Sequence, residues 1–600
     1  MAMEVDEALA LLGRFSRWHV VIYVVLSVST TFPACWHVLA IVFLGGVPDY
    51  HCKVPPGEAN TSIPMVRNDE GKQVRDKCHI FGNQTLNGVV YNNVSVPCND
   101  GFTYITDYKN TIVMEWELVC EREYMKDMTQ TFFVLGVMAG AMVFTTLSDN
   151  FGRKPVFIGV NWAMVIIGTI QVFINDYYVF TFFRFLTGAL QQGIVLSGFV
   201  LCCEIFPADQ RTFAGIIVQT FWAVAMMIQA GIGYAVRDWR MFQLAISLPM
   251  VVTVVGFWIY PESVPWQVAN NKEKEAEEQL RKIAKFNGLK DYPAHPFTGK
   301  SALAGSPILN SMEDGDVSSK DEEKTEIENT EDKKEDNQKK KFDVKALFNC
   351  CKKKPEPKEG QKRRDNILTI FRHPKLRLYL AIMCALWFVN SLVYFGLSLS
   401  TADLAGNRYM NYFVSGLVEM IAYGQSYFVL KRFGRRIPLC IYHTIAGVGL
   451  VISIAIPAKT ASGTDLTGLV ICFNMIGKFG ISASFGEVFL YAGELFPTNV
   501  RNTSMGVCSV AARVAGMLAP FSSLLMRKVF WLPGVIFGCL SVLVGLLALL
   551  LPETLGRPLP QNVEEMESWD SKRGRAKSFD IHANMRKRPS RNIEAEDTNV

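Results

Sequence analysis

The octapeptide SDNFGRKP at residues 148–155 separates two long apolar runs, and KRFGRRIP at residues 431–438 separates two others. Two more signatures recur in the same order. EIFPADQR at 204–211 returns as ELFPTNVR at 494–501, and PES at 261–263 returns as PET at 552–554. Because the paired signatures stand at nearly constant separations, we interpret the chain as two related halves.

About a dozen long apolar runs lie around these signatures. Half of the 600 residues are hydrophobic and 20% are charged. The runs are long enough to cross the ~30 Å hydrocarbon core of a bilayer as helices. This pattern excludes a water-soluble enzyme, and it lacks the ~10-residue alternating segments of a membrane β-barrel. We predict twelve membrane-spanning helices, at about residues 18–44, 129–147, 156–174, 178–202, 213–236, 241–260, 378–400, 410–430, 437–457, 466–492, 503–526 and 530–551.

The predicted fold class is therefore an all-α polytopic membrane protein with two six-helix halves. Lys and Arg concentrate in short loops that fall on one side, which places both termini in the cytoplasm. The predicted segments are a cytoplasmic N-terminus (1–17), the first half (18–260), a cytoplasmic central loop (261–376, disordered over 301–364), the second half (377–551) and a cytoplasmic tail (552–600). A net charge of +5 is too dispersed to predict nucleic-acid binding.

The polar stretch at residues 45–126 has the composition of an extracellular loop. It holds four cysteines and three N-x-Ser/Thr sequons, which together indicate an oxidising compartment and glycosylation. Sequence leaves all three disulfide connectivities open. The residues concerned are Cys52, Cys78, Cys98 and Cys120, with acceptors Asn60, Asn83 and Asn93.

Duplicated halves predict a substrate site near the midplane between them and a rocking, alternating-access cycle. The charged, glycine-containing turns at helix ends are predicted to form salt bridges that gate the cytoplasmic face. A simpler interpretation is that these charges only fix orientation and solvate the loops. The candidate gating residues are Asp149, Arg153, Glu204, Arg211, Arg435, Glu494 and Arg501.

These motifs carry a family resemblance across the whole chain except the 301–364 insert and the tail. The sequence resembles the major facilitator superfamily and, within it, solute carrier family 22, which transports organic cations, anions and carnitine. The matching segments include EWELVC at 115–120, YFG at 394–396 and ELFPT at 494–498. GKFG at 477–480 and Arg501-Asn502 are most similar to the carnitine and zwitterion branch. Two departures are Thr145, where the loop motif usually has glycine, and Val264-Pro265, where Pro-Arg usually follows the Pro-Glu-Ser step.

Ionisable residues inside predicted spans are candidates for substrate binding, because a charge at a helix centre costs ~2.5–3.5 kcal/mol on insertion scales. Arg513 stands where the resemblance implies an acid in cation carriers and an arginine in anion and carnitine carriers. Its planar guanidinium suits a carboxylate, although a structural pair with Glu419 or Glu487 is the alternative. Lys478 is predicted to neutralise Glu487, to bind substrate or to contact the neighbours of a coupling ion. Nine residues, ~13 Å of helical rise, separate it from Glu487, so the two are not direct partners on one helix and each could reach across to another helix. For Glu419 we weigh an ion pair against an ammonium contact. Glu487 is a candidate for binding an amine, a proton or a cation, or for snorkelling to the interface.

Aromatic and amide side chains complete the predicted site. The resemblance implies that Trp387, Tyr394 and Phe395 line the central cavity, and Trp222 is a further candidate. An ammonium over such rings gains ~0.5–2 kcal/mol from the cation–π attraction. The polar residues Asn390 and Gln219 could orient a ligand. Aromatic residues at helical spacing are otherwise ordinary core.

We therefore predict a plasma-membrane transporter of small organic ions, most simply zwitterions or carboxylate-bearing amines such as carnitine-like betaines and β-alanine conjugates. The alternatives are an organic-anion exchanger, an organic-cation transporter, and a non-transporting receptor or scaffold. No enzymatic constellation, metal site or cofactor is predicted, and Na⁺ or proton coupling is left open. The expected partners are the substrate and the lipid bilayer, without nucleic acid, and the expected transport unit is a monomer.

Overall fold

Long helices dominate the computed structural model, which describes residues 3–297 and 372–569. Within those limits it leaves out residues 14, 55–62, 68–72, 87–88, 99, 291, 294, 402–403, 405, 458, 461–463, 530, 558 and 561–562. The predicted disorder at 301–364 and the sequon at Asn60 lie outside the described residues.

The first half carries the helices up to residue 286. They are α1 (Val5–Ala10), α2 (Arg17–Leu39), α3 (Ile41–Leu44), α4 (Ile112–Glu115), α5 (Tyr124–Phe151), α6 (Arg153–Ile170), α7 (Tyr177–Glu204), α8 (Ala208–Ala235), α9 (Trp239–Ser247), α10 (Gly256–Ile259), α11 (Val264–Ala269) and α12 (Glu273–Phe286). Short 3₁₀ segments follow at Cys120–Arg122, Gln171–Phe173 and Leu248–Val255.

The second half repeats this order without the long loop. Its helices are α13 (Pro374–Ser400), α14 (Arg408–Phe433), α15 (Arg436–Ala455), α16 (Thr467–Leu495), α17 (Arg501–Leu518), α18 (Phe521–Lys528), α19 (Leu532–Ala548) and α20 (Val563–Ser568). In each half the helix after the glycine-containing turn packs on the next one, α6 on α7 and α15 on α16.

Fewer than twelve of the described helices meet the length and composition expected of a membrane span. Nine helices of the described chain are long and apolar enough to cross a bilayer, or ten if α17 and α18, bent by 42°, form one span. The predicted sixth span is interrupted after Ser247, and α17 ends next to Pro520. Proline lacks the amide hydrogen that a helix interior needs, so Pro249 and Pro520 account for these breaks. The mostly helical architecture is confirmed, and the count of twelve stays a prediction.

The described part of the polar loop contains six short strands besides α4 and a 3₁₀ segment: β1 (Asp49–Cys52), β2 (Met65–Arg67), β3 (Gln73–Arg75), β4 (His79–Leu86), β5 (Val89–Pro97) and β6 (Phe102–Ile105). They pair antiparallel as β1–β6, β2–β3 and β4–β5. Disulfides join Cys52 to Cys98 and Cys78 to Cys120, which selects one of the three connectivities. Asn83 and Asn93 lie on the β4–β5 hairpin. We call this side of the bundle the loop side, and the opposite side, with α1, α11 and α12, the terminal side.

Two seams join the halves, α8 against α14 and α5 against α17. Near the loop side, the Arg527 guanidinium forms an ion pair with Glu123, which precedes α5. Deeper in the other seam, the Tyr412 hydroxyl donates to Oε1 of Gln229 at 2.9 Å. Polar contacts therefore tie the two halves together toward the loop side.

Close helix crossing inside the first half depends on glycine. A Cβ placed on Gly188 of α7 would lie 2.0 Å from the carbonyl oxygen of Phe133 on α5. Reciprocally, a Cβ on Gly136 of α5 would lie 2.0 Å from the carbonyl oxygen of Phe185 on α7. Small residues let backbones approach in this way in membrane bundles, and the α5–α7 pair positions Glu204 at the end of α7.

Candidate substrate site and gating motifs

The first of the two predicted gating motifs is built around Arg153, the first residue of α6. Gly152 precedes it with φ of 102°, a conformation that side chains disfavour. The Arg153 guanidinium lies 3.1 Å from Oδ1 of Asp149 and 3.5 Å from Oε2 of Glu204. The predicted charges of this half therefore do meet, as ion pairs at the terminal ends of α5, α6 and α7.

Glu262 of the Pro-Glu-Ser step joins the same motif, although sequence analysis did not name it as a gating residue. Its Oε1 accepts hydrogen bonds from the amides of Arg153 at 3.0 Å and Lys154 at 3.2 Å. A carboxylate at a helix N-terminus satisfies unpaired amides and complements the helix dipole. Burial nevertheless raises the pKa of the Glu262 carboxyl, against the amide hydrogen bonds, which lower it.

The second half repeats this geometry with tighter contacts. The Arg435 guanidinium donates to both oxygens of Glu494, from Nη2 at 2.8 Å and from Nε at 3.0 Å. The Thr554 hydroxyl adds a hydrogen bond to Glu494 at 2.6 Å. Glu553 accepts from the amides of Arg435 at 3.0 Å and Arg436 at 3.1 Å. Glu262 and Glu553 thus cap the N-termini of α6 and α15 in the same way. The sequence signal for both caps was the repeat of PES at 261–263 as PET at 552–554.

The remaining two gating candidates have a different role. Nε of Arg211 donates to the carbonyl of Phe206, and Nε of Arg501 donates to the carbonyl of Phe496, both at 3.1 Å. Arg211 also pairs with Asp6 of α1 at 2.7 Å. These arginines thus brace the turns that follow α7 and α16, and α1 joins the terminal-side network through a residue that sequence analysis did not select.

The different geometries predict unequal effects of removing the two motif arginines. We expect Arg435→Ala to lower the thermal unfolding midpoint more than Arg153→Ala, because charge-assisted hydrogen bonds contribute ~1.5–3 kcal/mol each before solvent screening. Midpoints of the two purified variants and the wild type would be compared in one detergent. Equal midpoints for the two variants would contradict the expectation that the contacts of Arg435 stabilise the fold more than those of Arg153.

A buried ion pair lies in the second half between α14 and α16. Nζ of Lys478 is 2.6 Å from Oε1 of Glu419, and the two side chains are 1% and 0% exposed. Lys478 also donates to the Ser398 hydroxyl and lies 3.8 Å from the centre of the Tyr394 ring. The Tyr394 hydroxyl donates to Oε2 of Glu419 at 3.1 Å. Lys478 therefore pairs with Glu419 rather than with Glu487, and of the two contacts weighed for Glu419 this conformation contains the ion pair.

One hydrogen bond links this ion pair to the first half. Nε1 of Trp222 on α8 donates to the Tyr394 hydroxyl at 2.9 Å. The centre of the Tyr394 ring lies 5.3 Å from that of Phe395 and 5.1 Å from that of Phe485. Gln219, one turn from Trp222, is half-buried. Several predicted aromatic residues thus do gather where the halves meet.

Two predicted site residues lie inside the second half instead. The Ser484 hydroxyl donates to Oδ1 of buried Asn390 at 2.7 Å. Trp387 is 3% exposed, and its ring centre lies 4.1 Å from that of Phe489. In this conformation both side chains join α13 to α16.

Arg513 lies on α17 and forms no ion pair with any described residue. Its guanidinium donates to the carbonyl and hydroxyl oxygens of Ser509, one turn earlier on the same helix. Gly516 lies one turn later on α17. A Cβ placed on it would lie 3.4 Å from the Val134 side chain, which belongs to the first half. Residues three apart share a helix face, so Arg513 faces the junction between the halves. The alternative pairing with Glu419 or Glu487 is not what the structure shows.

The geometry matches a known class of membrane protein. Residues 125–520 match the model of the Major Facilitator Superfamily, and the fold is similar to that of the xylose transporter XylE from E. coli in an inward-open conformation. That alignment has a TM-score of 0.55 at 14% identity and covers 91% of this chain and 99% of XylE. The chain belongs to the major facilitator superfamily of membrane transporters.

Curated relatives narrow the assignment. The chain is 32% identical to the organic cation transporter-like protein of Drosophila melanogaster, over 95% of this chain and 94% of the relative. It is 30% identical to solute carrier family 22 member 4 of Mus musculus, over 94% of each, and 30% identical to organic cation/carnitine transporter 2 of Homo sapiens, over 94% and 93%. It is a member of solute carrier family 22, and thus a transporter rather than an enzyme.

Proposed function

We propose that the chain moves small carboxylate-bearing amines, such as carnitine-like betaines or β-alanine conjugates, across the plasma membrane by alternating access. The observation that carries this proposal is the half-buried Arg513 guanidinium at the junction between the halves, which has no acidic partner among the described residues. A guanidinium in such a place needs an anion or a polar cavity to offset its desolvation.

Charge balance supports a substrate carboxylate at this position. Lys478 and Glu419 neutralise one another at 2.6 Å, so neither supplies net charge. Arg513 therefore contributes one positive charge at the junction that no described residue neutralises. Its planar guanidinium can bind a carboxylate through two parallel hydrogen bonds. The same balance disfavours a dicarboxylate held by Lys478 and Arg513 together.

The rings around Tyr394 support an ammonium group on the same substrate. Phe395 and Trp222 are half-buried where the two halves meet, and Phe395 packs against Gly516 of the helix that carries Arg513. An ammonium over such rings gains ~0.5–2 kcal/mol. Glu419 is excluded from this contact in the present conformation, because it is fully buried against Lys478.

Sidedness follows from the chemistry of the two faces. The loop side carries the disulfides Cys52–Cys98 and Cys78–Cys120, which persist in an oxidising compartment. The terminal side carries the arginine motifs, and short basic loops stay in the cytoplasm. We therefore place the loop side outside the cell and both termini inside.

Radiolabelled uptake tests the proposal in cells that express wild type, Arg513→Ala or Arg513→Lys at equal surface levels. The panel contains carnitine, a β-alanine conjugate, a simple quaternary ammonium and a dicarboxylate, each with and without Na⁺. We expect wild type to accumulate the carboxylate-bearing amines. We expect uptake of these substrates by Arg513→Ala to be at least about tenfold lower than by wild type, because two charge-assisted hydrogen bonds disappear. Uptake by Arg513→Lys should lie between those of Arg513→Ala and wild type.

The panel also contains the outcomes that oppose the proposal. Uptake of the quaternary ammonium alone, or normal carboxylate uptake by Arg513→Ala, would show that Arg513 has a structural role. Uptake of the dicarboxylate alone would identify an organic-anion exchanger. Saturable binding without accumulation of any compound would favour a receptor.

A further inference from the structure

We propose that Glu487 on α16 is a proton-binding site, and that its proton is released toward the terminal side as part of the transport cycle. This inference deepens the proposed function and, for its coupling to substrate, rests on it. It concerns a residue that the substrate site described above does not use.

The Glu487 side chain is fully buried, and no residue that the structure describes hydrogen-bonds to it. Its exposed fraction is 0%, and neither carboxylate oxygen has a hydrogen-bond partner among the described residues. Burying an ionised carboxylate without a cation or a hydrogen bond is far more costly than burying a neutral carboxyl. The geometry therefore calls for a protonated Glu487 in this conformation.

Acids outnumber cations among the charged groups that act on the Glu487 carboxyl. The field at its carboxyl comes from two acids, Glu553 after α19 and Glu494 on α16, and one cation, Arg435. Arg435 is already held by Glu494 through two hydrogen bonds. The other titratable neighbours of Glu487 among the described residues are the phenols of Tyr442 on α15 and Tyr491 on α16. A Glu487 carboxylate would therefore face two acids, and the one cation among these groups already pairs with Glu494.

The related position in the first half is a natural comparison. Aligning Glu204 with Glu494 aligns Ser197 with Glu487. Ser197 is also buried, and its hydroxyl donates to the carbonyl of Gly193 on its own helix at 2.6 Å. A hydrogen-bonded hydroxyl thus occupies this position in one half, and the other half has an acid with no hydrogen-bond partner in the described part of the chain. Packing alone does not require an acid here.

The path for the proton leads along α16 to the gating motif. Glu487 lies seven residues, about 10 Å of helical rise, before Glu494, and Glu494 is 21% exposed at the terminal side. When the ion pair between Arg435 and Glu494 breaks, the positive charge of Arg435 becomes available to Glu487. The carboxyl then gives up its proton to water on that side, and the resulting carboxylate is stabilised by the guanidinium. Binding of a proton reverses these steps.

Infrared spectroscopy tests the site without any substrate. Purified full-length wild type, Glu487→Gln and Ser197→Ala would be compared at pH 7. We expect the carbonyl stretching band of a protonated, buried carboxyl in wild type and Ser197→Ala, and its loss in Glu487→Gln. A spectrum of wild type that matches Glu487→Gln in this region would overturn the proposal.

Transport in proteoliposomes tests the coupling. We expect an imposed proton gradient to raise accumulation of the best substrate from the uptake panel, by up to about tenfold for each pH unit if one proton moves with one substrate. Glu487→Gln should lose this stimulation but keep exchange of substrate across the membrane, which moves no net proton. Wild-type transport that ignores the gradient, or a stimulated Glu487→Gln, would overturn the coupling and leave the proposed function intact. If no compound is transported, the proposed function fails, and the infrared result alone decides the proton site.

Discussion

Gly188→Ala is expected to remove most of the folded protein from the membrane. The added methyl would sit 2.0 Å from the carbonyl oxygen of Phe133, which belongs to the backbone of α5 and cannot rotate away. Overpacking of a well-packed interior costs ~1–3 kcal/mol where side chains yield, and here two helices must separate instead. Detergent extracts of cells that express a fluorescent fusion would show the folded fraction as a monodisperse peak in size-exclusion chromatography.

A matched control is available on the neighbouring helix. A Cβ on Gly159 of α6 would meet no atom within 4 Å. Gly159→Ala should therefore fold normally or gain slightly in stability, because alanine favours a helix interior by ~0.5–1 kcal/mol over glycine. Equal peaks for Gly188→Ala and Gly159→Ala would show that α5 and α7 do not cross at the distance described here.

The second large effect is expected from Glu419→Gln. This change leaves the Lys478 ammonium buried without its counter-charge, and breaking a buried ion pair typically costs 3–5 kcal/mol. We expect a large fall in the thermal unfolding midpoint of the purified protein. The double variant Glu419→Gln with Lys478→Gln should recover part of the loss, because no unpaired charge remains.

Glu487→Gln provides the comparison for this prediction. Glu487 has the same side chain and the same full burial as Glu419, but among the described residues it forms no ion pair. Replacing a protonated carboxyl by an amide of similar shape should change the midpoint far less. Similar losses for Glu419→Gln and Glu487→Gln would contradict the distinct roles assigned to the two acids.

The repeated signatures made the fold and the terminal-side motifs predictable. Arg153 and Arg435 meet Glu204 and Glu494 because each pair occupies ends of helices that the repeat places side by side. The caps by Glu262 and Glu553 were harder to foresee, since each joins residues more than 100 positions apart. The break of the sixth predicted span at Pro249 was visible only as a single residue within an apolar run.

The charges inside the membrane show where sequence reasoning ends. Hydrophobic patterning identifies Lys478, Glu419, Glu487 and Arg513 as unusual, but it cannot tell which of two acids faces a given cation on another helix. That choice depends on how α14, α16 and α17 are rotated about their axes. The structure joins Lys478 to Glu419 and leaves Arg513 and Glu487 without ionic partners in the described chain.

The Trp222–Tyr394 hydrogen bond gives the chain a natural optical reporter. The indole belongs to one half and the phenol to the other, and the phenol also contacts the buried Lys478–Glu419 pair. A rocking motion that separates α8 from α13 must break the hydrogen bond between the Trp222 indole and the Tyr394 hydroxyl. The surroundings of this fluorophore must then change. Emission from Trp222 would then follow the conformational cycle without an attached dye.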